Sequence, residues 1–346
     1  MTPKIIITDT HFGRKNNSAA FLKSQMTFFD SLIKKINSIP TGTRFDVVHC
    51  GDVFDSRSTV SIYIMTAVMD MFRKMISVIA NVNPDNRLIF IAGNHDFFSP
   101  VGDAVNSLDT IISQLSYEGK VLTVSRSAMR DPEDDTILYV PWFEWNERLD
   151  DMCFDGVRLV FTHTDLNIYK YDKRIPEGLV VVSGHIHQER DYRDGRMVNL
   201  PAPYGLDFND VNDTDKGAFL AADSQDKKNI VVTPWMKNDT SIMFRKLVGR
   251  EIFDIPDLDE SIERGDNYNI YLPSDLMGDQ DVMSRINELR EDFKYINIIP
   301  VSGSMQDICE SHFDCSLDID GILRESLPEH LRGRFDVVIE DVKKKL

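Results

Sequence analysis

Near its amino terminus the sequence reads Lys4-Ile5-Ile6-Ile7-Thr8-Asp9-Thr10-His11, a β-branched run that ends in Asp-x-His. Runs of this composition favour buried strands. Four further apolar runs follow it along the chain, at Phe45–His49, Leu88–Ala92, Val157–Thr162 and Leu179–Ser183. The first three runs are separated by residues 18–38 and 58–80, which carry apolar residues at helical spacing. This alternation predicts an α/β fold built in layers.

A short polar motif follows each of these five runs. In chain order the motifs are Asp9-Thr10-His11, Gly51-Asp52-Val53-Phe54-Asp55, Gly93-Asn94-His95-Asp96, His163 and Gly184-His185-Ile186-His187. Ligand-binding groups of open α/β sheets gather at the carboxyl ends of strands, so we expect the five motifs to converge on one edge. A small residue before a ligand lets the backbone leave the strand sharply and approach an ion.

The converging side chains are carboxylates, an amide and imidazoles, without a thiolate. Such a set suits Mn²⁺, Fe²⁺, Zn²⁺ or Mg²⁺, and several imidazoles shift the preference away from Mg²⁺ alone. The predicted metal ligands are Asp9, His11, Asp52, Asn94, His163, His185 and His187. This set exceeds the need of one tetrahedral ion and matches two ions that share a carboxylate. We therefore expect two divalent ions, whose identity the donor set leaves open among these four.

The motifs and their order resemble those of the calcineurin-like metallophosphoesterases. The resemblance implies a two-layer β-sandwich flanked by helices that hydrolyses phosphoesters. It implies that Asp9, His11 and His187 hold one ion, that Asn94, His163 and His185 hold the other, and that Asp52 bridges the two.

The same resemblance implies two catalytic residues that are not ligands. His95 is similar in position to the histidine that stabilises the transition state or protonates the leaving oxygen, and Asp96 would orient it. Asp55 would orient the metal ligands without binding an ion itself. The chain departs from the family at one position, because Thr162 stands where a glycine often precedes the lone histidine.

Later segments resemble the SbcD-type DNA repair nucleases, and the arrangement is most similar to the small subunits of phage recombination endonucleases. The segments are Phe54-Asp55-Ser56-Arg57, Val198-Asn199-Leu200-Pro201-Ala202-Pro203-Tyr204 and Lys216-Gly217. The resemblance implies a nuclease domain at 1–248, a small α+β capping domain at 249–312 with a β-α-β unit near 266–302, and a helical tail at 313–346. The tail would dock on an SbcC-type ABC ATPase with a long coiled coil.

These resemblances imply a metal-dependent DNA exonuclease and endonuclease that acts in end processing, recombination and repair, with Mn²⁺ as the favoured metal and Mg²⁺ as the alternative. The motifs alone also fit protein phosphatases and nucleotide phosphodiesterases, so this second class of enzyme stays open. A third hypothesis is a non-catalytic scaffold for the ATPase. The third hypothesis is disfavoured because each ligand position carries a residue able to bind a metal.

The net charge of −17 opposes DNA binding by this chain alone, because DNA-binding proteins usually carry a basic surface. The acidity is uneven, with −5 over residues 1–249 and −12 over residues 250–346. An ATPase partner that supplies the basic groove would leave this chain needing only local contacts beside the metals. Its candidate docking stripe is Ile319, Ile322, Leu323 and Leu327, although packing on its own chain explains this stripe equally well.

Composition also bears on where the protein works. The four cysteines Cys50, Cys153, Cys309 and Cys315 have neither disulfide-type nor metal-type spacing, which indicates reduced thiols. The sequence has no apolar run long enough to span a membrane and no secretory signal pattern. We therefore expect a cytoplasmic protein, in a bacterial cell or in the cytoplasm of a phage-infected host.

Three simpler interpretations apply to residues outside the motifs. The methionines within 58–80 are expected in the core, although a homodimer through this helix is an equal alternative. His49 is interpreted as a strand residue rather than a ligand. Arg57 could contact a substrate phosphate, or could be a solvated loop arginine.

From about residue 196 the pattern changes to short apolar runs without long helices between them. We expect these runs to form strands that extend a second sheet layered against the first. They lie at Met197–Leu200, Ala218–Ala221, Ile230–Thr233 and Ile242–Leu247.

Overall fold

The computed structural model describes residues 1–99, 105–115, 119–166, 174–192, 195–207, 216–239, 242–255, 258–293 and 296–301. The strands of these ranges are β1 (Lys4–Ile7), β2 (Asp46–His49), β3 (Leu88–Ile91), β4 (Val121–Val124), β5 (Met129–Arg130), β6 (Ile137–Tyr139), β7 (Leu159–His163), β8 (Val180–His187), β9 (Arg190–Tyr192), β10 (Met197–Pro201), β11 (Gly217–Asp223), β12 (Ile230–Lys237), β13 (Phe244–Val248), β14 (Asn267–Pro273) and β15 (Ile296–Val301).

The helices are α1 (Ala19–Asn37), α2 (Ile62–Val82), α3 (Ser107–Thr110), α4 (Trp142–Arg148), α5 (Leu258–Arg264) and α6 (Gln280–Asp292), with 3-10 turns at Ile112–Leu115, Leu149–Asp151 and Gly249–Phe253. The two long helices begin at serine caps: the side chain of Ser18 accepts from Phe21 N, and that of Ser61 accepts from Ile64 N. Among the described residues, no helix is both long enough and apolar enough to cross a bilayer.

Two six-stranded sheets form the main body. The first has the order β12-β11-β1-β2-β3-β4 and the second the order β5-β6-β7-β8-β10-β9. Strands β1 to β4 are mutually parallel, as are β6, β7, β8 and β10, so the carboxyl ends of each set lie at one edge of their sheet. The predicted α/β class, with mixed sheets flanked by helices, is confirmed.

Alternation along the strands divides the core into layers. In β1, Ile5 and Ile7 pack with α1 and α2 on one face of the first sheet, whereas Ile6 packs with Phe161 and Val182 of the second sheet. Trp145 of α4 covers the outer face of the second sheet. The order of layers is therefore helix, sheet, sheet, helix, which is the predicted sandwich.

Three strands lie elsewhere than the sequence indicated. We expected the runs after residue 196 to extend the second sheet, but β11 and β12 belong to the first sheet because β11 pairs antiparallel with β1. Strand β13 joins neither, since it pairs parallel with β14 in a separate three-stranded sheet β13-β14-β15. The predicted β-α-β unit near 266–302 is present as β14, α6 and β15, whereas the predicted tail at 313–346 lies outside the described residues.

A buried ionic network joins the two sheets at the amino ends of β1 to β3. Lys4 Nζ lies 2.6 Å from Asp46 Oδ2 and 2.9 Å from Asp131 Oδ2, and Arg87 Nη2 also contacts both carboxylates. The hydroxyl of Tyr139 donates to Asp131 Oδ2 at 2.6 Å. Burial alone would raise the pKa of Asp131, but these hydrogen bonds and the charge of Lys4 hold it below its usual value.

This network gives a stability prediction. The substitution Asp131→Asn leaves Lys4, which is 1% exposed, with one carboxylate where it had two. Breaking a buried charge pair typically costs about 3 kcal/mol or more, so we expect a loss of that order in the free energy of unfolding measured by urea denaturation. The matched control is Asp135→Asn on the exposed surface, for which we expect less than about 0.5 kcal/mol. Equal effects of the two substitutions would contradict the assigned role of the network.

Candidate metal centre

The five predicted motifs meet at the carboxyl edge shared by the two sheets. Asp9 and His11 follow β1, Asp52 follows β2, Asn94 follows β3, His163 is the last residue of β7, and His185 and His187 end β8. Five of these side chains are buried, with exposures between 0% and 9%, and those of His185 and His187 are partly exposed. The cluster therefore opens to solvent on the β8 side.

The backbone is strained at these positions. The φ angles of Asp9, His11, Asp52, His185 and His187 are 50°, 42°, 55°, 87° and 62°, in the left-handed region that side chains other than glycine rarely adopt. Each such residue costs on the order of 1–3 kcal/mol and persists only where its surroundings impose it. Strain of this kind, repeated at five of the predicted ligands, is typical of a functional site.

One group of ligand atoms comes from β1 and β8. His11 Nε2 lies 3.1 Å from His187 Nε2 and 3.8 Å from Asp9 Oδ1, and His187 Nε2 lies 3.5 Å from the same Asp9 oxygen. These three side chains form one of the sets that could hold a cation. They are the same three residues that the family resemblance assigns to the first ion.

A second group comes from β2, β3, β7 and β8. Asn94 Oδ1 lies 3.2 Å from His163 Nε2 and 2.9 Å from His185 Nδ1, and His163 Nε2 lies 3.2 Å from Asp52 Oδ2. Asp52, His163 and His185 are again a set that could hold a cation. The structure thus brings together all seven predicted ligands in two adjoining groups.

Asp52 lies where the two groups meet. Its Oδ2 is 3.5 Å from His11 Nε2 in the first group and 3.2 Å from His163 Nε2 in the second. Its Oδ1 instead accepts a hydrogen bond from the backbone N–H of His95 at 2.8 Å, which fixes the rotation of the carboxylate. One oxygen is therefore directed towards both groups, as a bridging ligand requires.

Groups behind the imidazoles set which ring nitrogen faces the site. His163 Nδ1 donates to the carbonyl oxygen of Cys50 at 2.6 Å, so its Nε2 faces the cluster without a proton when the ring is neutral. His11 Nδ1 lies 3.2 Å from Asp55 Oδ1, and Arg14 Nη1 donates to that same oxygen at 2.6 Å. Sequence reasoning missed Arg14 and the Cys50 carbonyl, because a backbone acceptor leaves no residue signature and Arg14 belongs to no motif.

Among the described residues, Asp96 makes hydrogen bonds other than the predicted one to His95. Its carboxylate accepts from the backbone N–H groups of Asp52, Val53 and Gly93 at 2.9, 3.2 and 2.9 Å and from Ser107 Oγ at 2.7 Å. The described contacts of Asp96 therefore fix the strained Asp52 turn rather than the imidazole of His95. His95 Nδ1 lies instead 2.5 Å from the carbonyl oxygen of Asp55.

The glycines of the motifs are required by close approach. A Cβ atom on Gly93 would lie 2.2 Å from Asp52 Oδ1, and one on Gly184 would lie 2.5 Å from Asp9 Oδ2. Thr162, where the family often has glycine, causes no such conflict, because neighbouring strand residues point to opposite faces and its side chain faces away from His163. The departure from the family pattern therefore leaves His163 in the cluster.

The chemistry of the donors fits divalent cations. Without a cation, burial opposes the negative charge of Asp9 and Asp52, and the nearby imidazoles, His163 first, hold the pKa of both below its usual value. The donor set of oxygens and imidazoles, without sulfur, suits Mn²⁺, Fe²⁺ and Zn²⁺ as well as Mg²⁺. The residues therefore fit two ions, and the identity of the metal is left open by the donors.

The comparisons with known proteins agree with this geometry. The family model for the calcineurin-like phosphoesterases matches residues 3–189, a range that starts before β1 and ends just after His187. No curated protein matches the chain.

Metal binding is expected to weaken as the pH falls. Two of the proposed ligands, His11 and His163, bind a proton tightly in the metal-free protein. Burial disfavours protonation of their imidazoles, but nearby carboxylates raise the pKa of His11 to about 10 and that of His163 to about 9. Because only a neutral imidazole binds a metal, each of these two ligands must release a proton. The apparent Mn²⁺ affinity should therefore rise about tenfold per pH unit for each released proton between roughly pH 6 and pH 8. Calorimetric titrations in this range test it, and an affinity independent of pH would contradict it.

A second prediction concerns Gly93. In Gly93→Ala the new Cβ would lie 2.4 Å from the backbone nitrogen of Asp52 as well as close to its carboxylate, so the Asp52 turn must shift. We expect the Mn²⁺ affinity to fall by at least about tenfold, the usual effect of disturbing the support of a ligand. The control is Gly278→Ala, whose Cβ would meet nothing within 4 Å. An unchanged affinity in Gly93→Ala would show that the close approach is unimportant.

Proposed function

Since the chain belongs to the calcineurin-like phosphoesterase family, we propose that it is a two-metal-dependent DNA nuclease that cleaves phosphodiester bonds at and within DNA ends. The proposed hydrolytic activity is supported by one observation: the two groups of ligands meet at Asp52. Asp9, His11 and His187 would hold one ion, Asn94, His163 and His185 the other, and Asp52 both. Mn²⁺ is the proposed metal on the resemblance to the SbcD-type nucleases, since the donors themselves disfavour only Mg²⁺ alone. Two such ions, when bound, stabilise the charge that develops on the phosphate during an in-line displacement.

His95 is the proposed proton donor to the leaving oxygen. Its Nδ1 donates to the Asp55 carbonyl, so Nε2 is the atom able to deliver a proton. Its ring stands edge-on to that of His11 with centroids 4.8 Å apart, beside the first ligand group. The imidazole is partly exposed, as contact with a substrate requires.

The DNA part of the proposal is supported by the unit that lies after the catalytic region in the chain. This parallel unit of β13, β14, α6 and β15 has its own apolar core, which includes Tyr268, Ile286 and Phe293. A separately packed unit of this kind agrees with the capping domain that the resemblance to SbcD-type nucleases implies. The coiled-coil ATPase partner and self-association stay predictions that belong to this proposal.

The charge favours a second candidate, a phosphatase or small phosphodiesterase that acts on proteins or nucleotides. A net charge of −17 disfavours binding of the phosphate backbone of DNA, whereas a small phosphoester needs only the metal site. The two candidates differ in substrate, because the phosphatase hypothesis requires efficient turnover of phosphomonoesters without a partner protein.

The test compares end-labelled linear duplex and hairpin DNA with a chromogenic phosphomonoester, each with Mn²⁺ and with or without the coiled-coil ATPase. We expect DNA cleavage and little monoester turnover. The substitution His95→Ala should slow DNA cleavage by about 10²- to 10⁴-fold, the usual contribution of a general acid. Mn²⁺ binding, measured on the same protein, should be unchanged because His95 is not a proposed ligand. Rapid monoester turnover with intact DNA, even in the presence of the ATPase, would favour the phosphatase instead.

A further inference from the structure

Thr10 lies between two proposed ligands whose backbones are strained. Asp9 and His11 have φ angles of 50° and 42°, and Thr10 itself is completely buried. A turn of this kind relaxes unless surrounding groups hold it. The groups that contact Thr10 therefore decide whether Asp9 and His11 keep their places.

Two buried side chains bind the carbonyl oxygen of Thr10. Gln25 Nε2 donates to it at 2.7 Å and the hydroxyl of Tyr204 donates to it at 2.6 Å. Gln25 Nε2 also lies 3.0 Å from the Tyr204 hydroxyl, which closes a triangle of polar contacts, and 3.5 Å from the carbonyl oxygen of His11. The peptide group between the two ligands is thus fixed from two directions.

A third buried side chain binds the hydroxyl of Thr10. Thr10 Oγ1 donates its proton to the carbonyl oxygen of Val53 at 3.1 Å, and His49 Nε2 lies 2.9 Å from the same hydroxyl. Because a hydroxyl has one proton, His49 must donate through Nε2. Burial lowers the pKa of His49 to about 3, so the ring is neutral and its Nδ1 carries no proton.

Core packing explains the rings of Tyr204 and His49, but it does not explain the polar atoms of these two residues and of Gln25. Tyr204 packs edge-on against Phe28, and the His49 ring stacks on Phe90 with centroids 5.6 Å apart. Apolar side chains of similar shape would make such contacts equally well. Moreover, Gln25 Oε1 and His49 Nδ1 are buried without a hydrogen-bond partner in the described part of the chain, which is unfavourable for stability. Their presence therefore points to a role at Thr10.

We propose that Gln25, His49 and Tyr204 are positioning residues that clamp Thr10 and so hold Asp9 and His11 in place before an ion binds. They come from α1, from the last residue of β2 and from the segment after β10, so the clamp forms only in the folded chain. This inference rests on the proposed two-metal function. It extends that function to residues that touch neither ion nor substrate.

The test is Mn²⁺ binding to Tyr204→Phe, which loses the hydroxyl and keeps the ring. We expect the ion held by Asp9, His11 and His187 to bind about tenfold more weakly, while the affinity for the other ion changes little. Removing the support of a ligand typically lowers the affinity for its metal by about that factor. Calorimetry measures both steps. In electron paramagnetic resonance at two equivalents of Mn²⁺, the spectrum of a coupled pair should give way to that of an isolated ion.

The matched control is Tyr139→Phe. Tyr139 is equally buried, but its hydroxyl donates at 2.6 Å to Asp131 of the ionic network at the amino ends of β1 to β3 and contacts neither Thr10 nor a proposed ligand among the described residues. Both substitutions should lower the melting temperature, since each removes a buried hydrogen bond. Only Tyr204→Phe should weaken metal binding.

A second pair of variants tests His49. In His49→Gln the amide nitrogen can replace imidazole Nε2 as the donor, so binding of both ions should be retained, whereas His49→Leu should weaken one ion as Tyr204→Phe does. Wild-type affinities in Tyr204→Phe and His49→Leu, with melting temperatures lowered as in Tyr139→Phe, would overturn the inference. A wild-type chain that binds fewer than two ions would instead overturn the proposed function.

Discussion

The structure depends on the convergence of two carboxylates, one amide and four imidazoles at a single buried edge. Such a cluster is unfavourable in the absence of cations, because burial opposes charge on the acids and on the imidazoles alike. Asp52 shows this constraint most clearly, because one of its carboxylate oxygens faces both groups of ligands. Its backbone is strained, and its N–H donates to the carboxylate of Asp96. The rest of the fold serves to bring strand ends from two sheets to this edge.

The two ends of the first sheet differ in how their buried charges are compensated. At the amino ends of the strands, Lys4, Asp46, Arg87 and Asp131 are paired with one another, so their charges are compensated within the protein. At the carboxyl ends the acids lack such permanent partners, and strained turns replace relaxed ones. The backbone strain persists at this end because the packed sandwich and the ionic network stabilise the rest of the sheets.

The supporting contacts suggest how a hydrolase of this type keeps a strained site ready for metal. Asp96 holds the Asp52 turn through backbone N–H groups, and the proposed clamp holds the turn at Thr10 through its carbonyl and hydroxyl. Both sets of contacts act on the turns that carry the ligands rather than on the ligand atoms. Catalytic geometry imposed in this way leaves the ligand atoms free for ions, and the partly exposed His95 free for a substrate.

The sequence by itself determined the α/β class and the identity of the seven converging side chains, because strand-end placement is a local property of each motif. Their division into two groups came from the family resemblance. The sequence predicted the wrong sheet for β11, β12 and β13, since strand pairing depends on distant partners such as the β1 edge. It placed His49 in a strand, where the structure has it, but did not indicate the contact of its ring with Thr10, and it directed Asp96 at His95. Only the tertiary structure decided those contacts, because hydrogen bonds between residues far apart in the chain, such as Tyr204 with Thr10, leave no periodicity or spacing to read.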